Sequence, residues 1–161
     1  MPTATYIALA NTTLSSTATS ITFSSIPATY RDLVLVIAGT TDAARSIGYR
    51  LNSDSGSNYS YVYMQGNGSA TESGTGTLTL GLLTRMGTGQ STTIAHFMDY
   101  SATDKHKTVL SRGGTSAELL RAHASRWAST NAVTSIYIAT LDINANAFQI
   151  GTTFALYGIV S

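Results

Sequence analysis

The sequence contains no cysteine and few charged residues. Asp, Glu, Lys and Arg make up only 11% of its 161 residues, less than half the usual share of about 25%. The absence of cysteine excludes disulfide scaffolds, thiolate zinc sites and cysteine nucleophiles. The nine basic and eight acidic residues give a net charge of +1 and form no basic run. We therefore expect no nucleic-acid partner, since such binding needs clustered positive charge.

The sequence also lacks the segments that direct a chain to a membrane. Residues 1–5 have neither the basic nor the apolar region of a signal peptide. The longest apolar run covers residues 33–38, far short of the roughly 20 residues that a membrane-spanning helix needs. We therefore expect a soluble protein that is made in a cytoplasm and has no membrane partner.

Serine, threonine and glycine supply the polar surface that charged residues normally provide. The chain has 46 serines and threonines and 14 glycines, while 43% of its residues are hydrophobic, enough for a core. Threonine suits a pleated surface, and serine and glycine suit turns. Lysine and glutamate, which favour helices, occur only twice each. This composition favours β-structure, and its uniformity along the chain favours a single domain spanning residues 1–161.

Alternation of apolar with polar or small residues predicts a series of short strands. The predicted strands cover residues 6–9, 20–23, 33–38, 47–51, 61–65, 78–82, 93–100, 107–111, 135–139 and 153–157. The segment 33–38 is apolar throughout, which predicts a central strand covered on both faces. The segment 120–124 fits either a strand or a helix, and we favour a strand because the surrounding pattern is β.

Clusters of turn residues separate these segments. Residues 52–58 form a loop on composition, 142–146 separate the last two strands, and 65–68 and 113–114 offer glycines that tolerate a positive φ. Residues 69–77 are rich in glycine and serine and are predicted to be mobile. Strands and turns at this spacing predict an all-β fold, either a two-sheet antiparallel sandwich or a barrel.

The three histidines show no catalytic arrangement. His96 precedes Asp99 by three residues, and positions three apart in a strand point to opposite faces. Asp104, His106 and Ser111 lie too close together in sequence for the usual triad geometry. We interpret His96, His106 and His123 as surface turn residues, and we predict no catalytic, cofactor-binding or metal-binding residues.

Two other groups of residues have a functional and a structural interpretation. Asp54 and Asn58 belong to a loop with oxygen donors at alternate positions, as in a calcium loop, but the loop lacks the bidentate glutamate. We favour a turn held by Asn and Asp side chains. Tyr59, Tyr61 and Tyr63 share one side of a strand. They fit a carbohydrate platform, or else a core or subunit interface, where tyrosine is common; we favour the second.

Several stretches in chain order resemble small virion proteins of tailed bacteriophages, which are abundant among phages of cyanobacteria and other aquatic bacteria. The matching stretches are residues 25–36, 50–60, 98–101, 107–110, 127–136 and 151–159. The resemblance implies a jelly-roll-like antiparallel β-sandwich of about eight to ten strands. It also implies an oligomer, commonly a trimer, that is made in the cytoplasm of the host bacterium and placed on the capsid exterior or the tail of the virion. It brings no catalytic residues and no cofactor.

The resemblance leads us to expect a non-enzymatic capsid decoration or cement protein that binds the major capsid protein. The alternative is a receptor-binding or glycan-binding module of a tail fibre or baseplate, which would bind host surface glycans through residues 52–58 and 69–76. We expect an N-terminal arm, residues 1–13, to reach a neighbouring subunit. The candidate interface and surface-loop residues are Tyr6, Ile7, Asp54, Asn58, Tyr59, Tyr61 and Tyr63.

Overall fold

The computed structural model describes residues 4–115, 119–141 and 147–160, and these residues contain twelve β-strands and no helix. None of them belongs to a helix long and apolar enough to cross a membrane. The strands are β1 (Tyr6–Thr13), β2 (Ser20–Phe23), β3 (Asp32–Gly39), β4 (Arg45–Leu51), β5 (Tyr59–Gly66), β6 (Thr71–Leu78), β7 (Gly81–Met86), β8 (Ser91–Met98), β9 (Lys107–Thr115), β10 (Leu120–Trp127), β11 (Ile136–Thr140) and β12 (Thr153–Ile159).

The strands form two antiparallel sheets of unequal width. The wide sheet has eight strands in the order β1-β12-β3-β8-β9-β10-β5-β6, and the narrow sheet has four in the order β2-β11-β4-β7. Without the pairs β5–β6 and β9–β10, each sheet has four strands, ordered as in a jelly roll. The prediction of an all-β, jelly-roll-like sandwich is therefore confirmed, and the two extra pairs widen only one sheet.

The predicted number of about eight to ten strands was too low, because one alternating segment crosses between the sheets. We predicted one strand over residues 78–82, but Leu78 ends β6 in the wide sheet and Gly81 begins β7 in the narrow sheet. Leu80 lies in the turn and is only 3% exposed. The alternation of exposed Thr79 and buried Leu80 thus continues through the turn, so a pattern of period two does not reveal the change of sheet.

Two glycine-rich segments are strands, contrary to prediction. Residues 69–77, predicted to be mobile, contribute most of β6. The pair Gly113 and Gly114, predicted to turn, lies within β9, where a Cβ on Gly113 would stand 2.4 Å from the carbonyl oxygen of Thr92. Glycine here permits close approach of neighbouring backbones. The turn predicted at residues 65–68 is confirmed in part: Gly68 has φ +85°, but residues 65 and 66 end β5 and the turn covers residues 67–70. Residues 142–146 lie outside the described residues.

The core lies between the narrow sheet and the inner face of the wide sheet. Leu33, Leu35 and Ile37 of β3 are fully buried, and β3 pairs with strands on both sides. Val36, on the opposite face, is half-buried, so the predicted central strand is covered fully on only one face. From the narrow sheet, Tyr49 packs edge-on against Phe97 with their ring centres 5.3 Å apart. The predicted strand over residues 120–124 is confirmed within β10.

A buried lysine stabilises one end of the core through hydrogen bonds to backbone carbonyl groups. Lys107 is 1% exposed, and its ammonium donates to the carbonyl oxygens of Ala102 at 2.7 Å, Lys105 at 2.9 Å and Thr130 at 3.4 Å. Burial lowers the pKa of Lys107 because a desolvated cation is disfavoured. The three carbonyl groups offset that cost and tie residues 99–106 to the segment that follows β10.

We predict that Lys107→Met lowers the free energy of unfolding by about 2–3 kcal/mol, since it leaves three partly buried carbonyl groups without their charged donor. The control is Lys105→Met, whose exposed side chain lies 3.6 Å from Asp99; it should change stability by less than about 0.5 kcal/mol. Urea denaturation of both variants measures the difference. Equal effects would contradict a structural role for the Lys107 ammonium.

Candidate functional site

The outer face of the wide sheet, which is turned away from the narrow sheet, is apolar where a sandwich usually exposes polar residues. Its large side chains are strongly exposed: Leu120 73%, Met64 66%, Val62 57% and Leu110 44%. The strand register brings them together, since Val62 is opposite Ala124, Ala124 is opposite Leu110, and Met64 lies one position further along the same face. We call the exposed residues Val62, Met64, Leu110 and Leu120, with the half-buried Ile94, the outer patch.

Two arginines are the only charged side chains on the outer faces of β5, β6, β9 and β10. They are Arg112 and Arg126, and both are exposed. Neither has an ion pair with any residue that the structure describes. Arg112 shares a row of the sheet with Ile94 and Met64. The surface thus offers apolar contacts together with positive charge, which suits a partner that carries apolar side chains and carboxylates.

A shallow groove of about 820 Å³ runs across this face. Met64, Ile94 and Leu120 form apolar parts of its lining, and Arg112 adds a guanidinium. Gly66 also lines the groove, and its lack of a side chain lowers the floor between the larger residues. The groove is therefore wide, open and mainly apolar.

A second cluster lies on the inner face of the wide sheet, near its β6 edge. The rings of Tyr61 and Tyr63 stack with centres 6.3 Å apart, and the guanidinium carbon of Arg121 lies 5.0 Å from the centre of the Tyr63 ring. Glu72 accepts hydrogen bonds from the Tyr63 hydroxyl and, at 2.6 Å, from Gln65 Nε2. Gln65 Oε1 in turn accepts from Arg121 Nε at 2.6 Å. These polar groups are thus already paired within the chain.

The two tyrosines cover the glycines of the edge strand. A Cβ on Gly74 would lie 2.7 Å from Tyr63 Cε1, and one on Gly76 would lie 2.9 Å from the Tyr61 hydroxyl. No side chain fits under either ring, so glycine at both positions lets the tyrosines lie flat across β6. Aromatic residues of this kind compensate for the weak strand propensity of edge glycines, which explains why β6 is a strand.

Polar contacts between the sheets fix β7 on the inner face of the wide sheet. Leu83 lies at an irregularity of the β4–β7 ladder and has no partner strand residue there. Its carbonyl oxygen accepts from the Ser111 hydroxyl and, at 2.6 Å, from His123 Nδ1. Ser125 donates to the carbonyl oxygen of Leu82 at 3.1 Å. The wide sheet therefore satisfies a backbone carbonyl that the bulge leaves unpaired.

The predicted loop at residues 52–58 is a closed turn. The Asp54 carboxylate accepts from Trp127 Nε1 at 2.6 Å, Asn58 Nδ2 at 2.9 Å and the Gly56 amide at 2.8 Å. The hydrogen bond from Trp127 lowers the pKa of Asp54 because it stabilises the charged form. The turn held by Asx side chains is confirmed, and N–H donors face the oxygens that a cation would need. Asp54 and Asn58 thus serve the fold.

Tyr59 is a core residue and not a surface residue. It is fully buried, and its ring stacks on Trp127 with centres 6.4 Å apart. Its hydroxyl donates to the Asp54 carbonyl oxygen at 3.2 Å and accepts from the Leu51 amide at 2.9 Å. Burial raises the pKa of Tyr59 to about 12. The favoured core interpretation thus applies to Tyr59, and its place among candidate surface residues was wrong.

Tyr6 and Ile7 lie on the outermost strand of the wide sheet. They are 56% and 36% exposed, and β1 pairs only with β12. The described part of the expected N-terminal arm therefore belongs to the sheet of its own chain, while residues 1–3 lie outside the described residues. The free edge of β1 leaves Tyr6 and Ile7 open to a partner.

Of the three histidines, only His106 lies in a surface turn as predicted. His106 is exposed in a loop, as predicted, but His96 and His123 lie in strands, and His123 is 3% exposed. His96 Nε2 lies 3.1 Å from Asp32 Oδ2 across the β3–β8 pairing. Asp32 also accepts from the Asp99 amide at 2.8 Å. No local signal links Asp32 to His96, because they are 64 residues apart and only the sheet brings them together.

Comparison with known proteins adds little to this geometry. No family model matches the chain, and no curated protein matches it. A solved structure of an alginate lyase mutant in complex with an alginate tetrasaccharide is similar over 96% of this chain and 73% of that chain, with 9% identity and a TM-score of 0.28. A similarity at that TM-score supports no inference about this chain.

The burial of His123 predicts that stability depends on pH. Burial lowers its pKa to about 4, from 6.5 in a solvated chain, so the unfolded state binds the proton more tightly. The stabilisation is complete above pH 6.5 and is lost as the pH falls towards 4. Between pH 7 and pH 5 we expect the free energy of unfolding to fall by about 2 kcal/mol.

The control for that prediction is His123→Asn, which keeps an N–H donor near the position of Nδ1 and does not titrate. Urea denaturation at pH 7, 6 and 5 should give a distinctly shallower dependence for the variant than for the natural chain. Identical slopes would show that another group causes the loss of stability.

Proposed function

We propose that this chain is a non-enzymatic structural protein of a phage particle that docks on the capsid through the outer patch. The observation that carries the proposal is the exposure of Val62, Met64, Leu110 and Leu120 on one sheet face. A contiguous apolar surface of this kind is characteristic of a protein interface. A major capsid protein that presents aliphatic side chains beside a carboxylate would fit it, with the carboxylate opposite Arg112.

The resemblance to small virion proteins gives the proposed partner and place. Copies of the chain, assembled as the trimer that the resemblance implies, would lie at junctions between capsid subunits and hold neighbours together. Apolar burial and β-edge contacts would supply the binding free energy. Tyr6 and Ile7, exposed on the free edge of β1, are suited to such a lateral contact.

The use of the acidic side chains supports a non-enzymatic role. Asp54 accepts three hydrogen bonds, and Asp32 and Glu72 each accept two, all from groups of the same chain. Among the residues that the structure describes, no three His, Cys, Asp or Glu side chains are grouped to hold a metal ion. Acidic groups that are committed to internal hydrogen bonds serve the fold, and this favours a binding protein.

The second candidate is a glycan-binding module of a tail fibre or baseplate. The half-buried, stacked rings of Tyr61 and Tyr63, beside the polar groups of Arg121 and Gln65, favour it, since sugars stack on aromatic faces. Of the two segments expected to bind glycan, residues 69–76 lie mostly in β6. Residues 52–58 use their polar groups in hydrogen bonds within the chain. Binding of the purified chain to host polysaccharide would support this candidate, and release of sugar products would refute the non-enzymatic proposal.

Quantitative mass spectrometry of purified particles separates the two candidates. A decoration protein is expected in numbers comparable to the major capsid protein, since it follows the symmetry of the lattice. A tail module is expected in a few copies for each particle. A low copy number would overturn the decoration proposal.

A charge in the outer patch should weaken capsid binding. We predict that Met64→Asp reduces the affinity for capsids lacking this protein by at least about tenfold, or about 1.4 kcal/mol, because binding would bury an unpaired carboxylate. The control is Thr22→Asp, which adds the same charge at an exposed position on β2 of the narrow sheet and should leave binding unchanged. Co-sedimentation with capsids measures both, and equal binding of the two variants would contradict docking through this face.

A further inference from the structure

The two sheets have four edge strands, and β6 differs from the other three. β1 has a register irregularity between Ala8 and Ala10, and the β4–β7 ladder has one between Ile47 and Gly48. β2 is only four residues long. β6 has eight residues and pairs with β5 at eight successive positions without irregularity. Bulges and short length protect edge strands against pairing with other chains, and β6 has neither.

The composition of β6 offers no protection either. The strand has no proline, lysine or arginine, and its single charge is on Glu72. That carboxylate accepts hydrogen bonds from the Tyr63 hydroxyl and from Gln65 Nε2, so both of its oxygens are engaged within the chain. Tyr61 and Tyr63 lie across Gly76 and Gly74, while Thr71, Ser73, Thr75 and Thr77 are exposed. The free edge of β6 is therefore open to pairing.

The direction of the free backbone groups follows from the β5–β6 turn. The Asn67 amide donates to the Ala70 carbonyl oxygen at 3.2 Å, so this pair is hydrogen-bonded. Antiparallel ladders alternate bonded and non-bonded pairs, and the bonds to β5 therefore fall at even-numbered residues such as Gly74. The N–H and C=O groups of Thr71, Ser73, Thr75 and Thr77 point away from β5.

We propose that β6 pairs with β6 of a second copy of this chain, in antiparallel orientation about a two-fold axis. The four residues whose backbones point outward are serine and threonine only. In an antiparallel two-fold pairing they therefore meet one another, which gives favourable cross-strand Ser/Thr contacts. In the registers that centre on Gly74 or Thr75, Glu72 lies opposite Gly76 or Leu78, so no like charges meet. The strand is thus complementary to itself.

This contact is independent of the proposed docking on a capsid. The two-fold axis is perpendicular to the sheet, so the paired wide sheets present both outer patches on the same side. Neither patch is covered by the pairing, and a surface contacted by two linked patches would be bound with higher avidity. In an assembly with three-fold contacts, β6 would link copies of neighbouring trimers.

Hydrogen exchange of the natural chain tests the pairing directly. In an isolated chain the amides of Ser73 and Thr75 have no acceptor and exchange quickly, whereas those of Gly74 and Gly76 are bonded to β5. We expect exchange at Ser73 and Thr75 to slow by about tenfold or more as the protein concentration rises, with no such change at Gly74 and Gly76. Fast, concentration-independent exchange at Ser73 and Thr75 would overturn the proposal.

A matched pair of variants provides the second test. Ser73→Pro removes one outward N–H without removing a bond to β5, a position that edge strands tolerate, while Ser73→Ala keeps the N–H. Sedimentation velocity should show the natural chain and Ser73→Ala at a mass at least twice that of the species formed by Ser73→Pro. Identical masses for all three would overturn the pairing. Capsid binding by Met64→Asp is measured in a separate experiment. A failure of the β6 pairing can therefore be distinguished from a failure of capsid docking.

Discussion

The wide sheet has twice as many strands as the narrow sheet, so the narrow sheet covers only part of its inner face. Two antiparallel pairs, β5–β6 and β9–β10, cause this difference, because both extend the wide sheet beyond β8 on the same side of a jelly-roll framework. The added strands need their own stabilising contacts where the narrow sheet ends. Tyr61, Tyr63 and Arg121 supply them on the inner face, and the outer patch lies on the opposite face of the same strands.

The position of β7 determines how far the narrow sheet covers the inner face of the wide sheet. The Leu83 carbonyl, left out of its own ladder, is bound by Ser111 and His123 of the wide sheet. Tyr59, which contacts Tyr49 and Trp127, is a core residue, while Tyr61 and Tyr63, further along the same strand face, are only half-buried. The β6 edge lies beyond the strands that bind β7, and the outer patch lies on the face of the wide sheet turned away from the narrow sheet. Both are therefore open to other chains.

Much of the fold was predictable, because period-two alternation is a direct consequence of strand geometry. It located β3, β11 and β12 well, and it failed at residues 78–82, where the chain changes sheet without breaking the alternation. Composition misplaced residues 69–77, because the tyrosines that cover Gly74 and Gly76 lie on another strand. The outer patch was not predictable, since Val62 and Leu120 read as ordinary buried strand residues until the sheet shows which face they occupy. The phage resemblance stays a prediction.

We propose that the chain docks on a capsid through the apolar outer face of the wide sheet. A cryo-electron microscopy map of the purified particle tests it most directly. We expect density for this chain on the capsid exterior, at every equivalent lattice position, with Met64 and Leu120 against a capsid subunit. Density confined to the tail, or an outer face turned towards solvent, would contradict the claim.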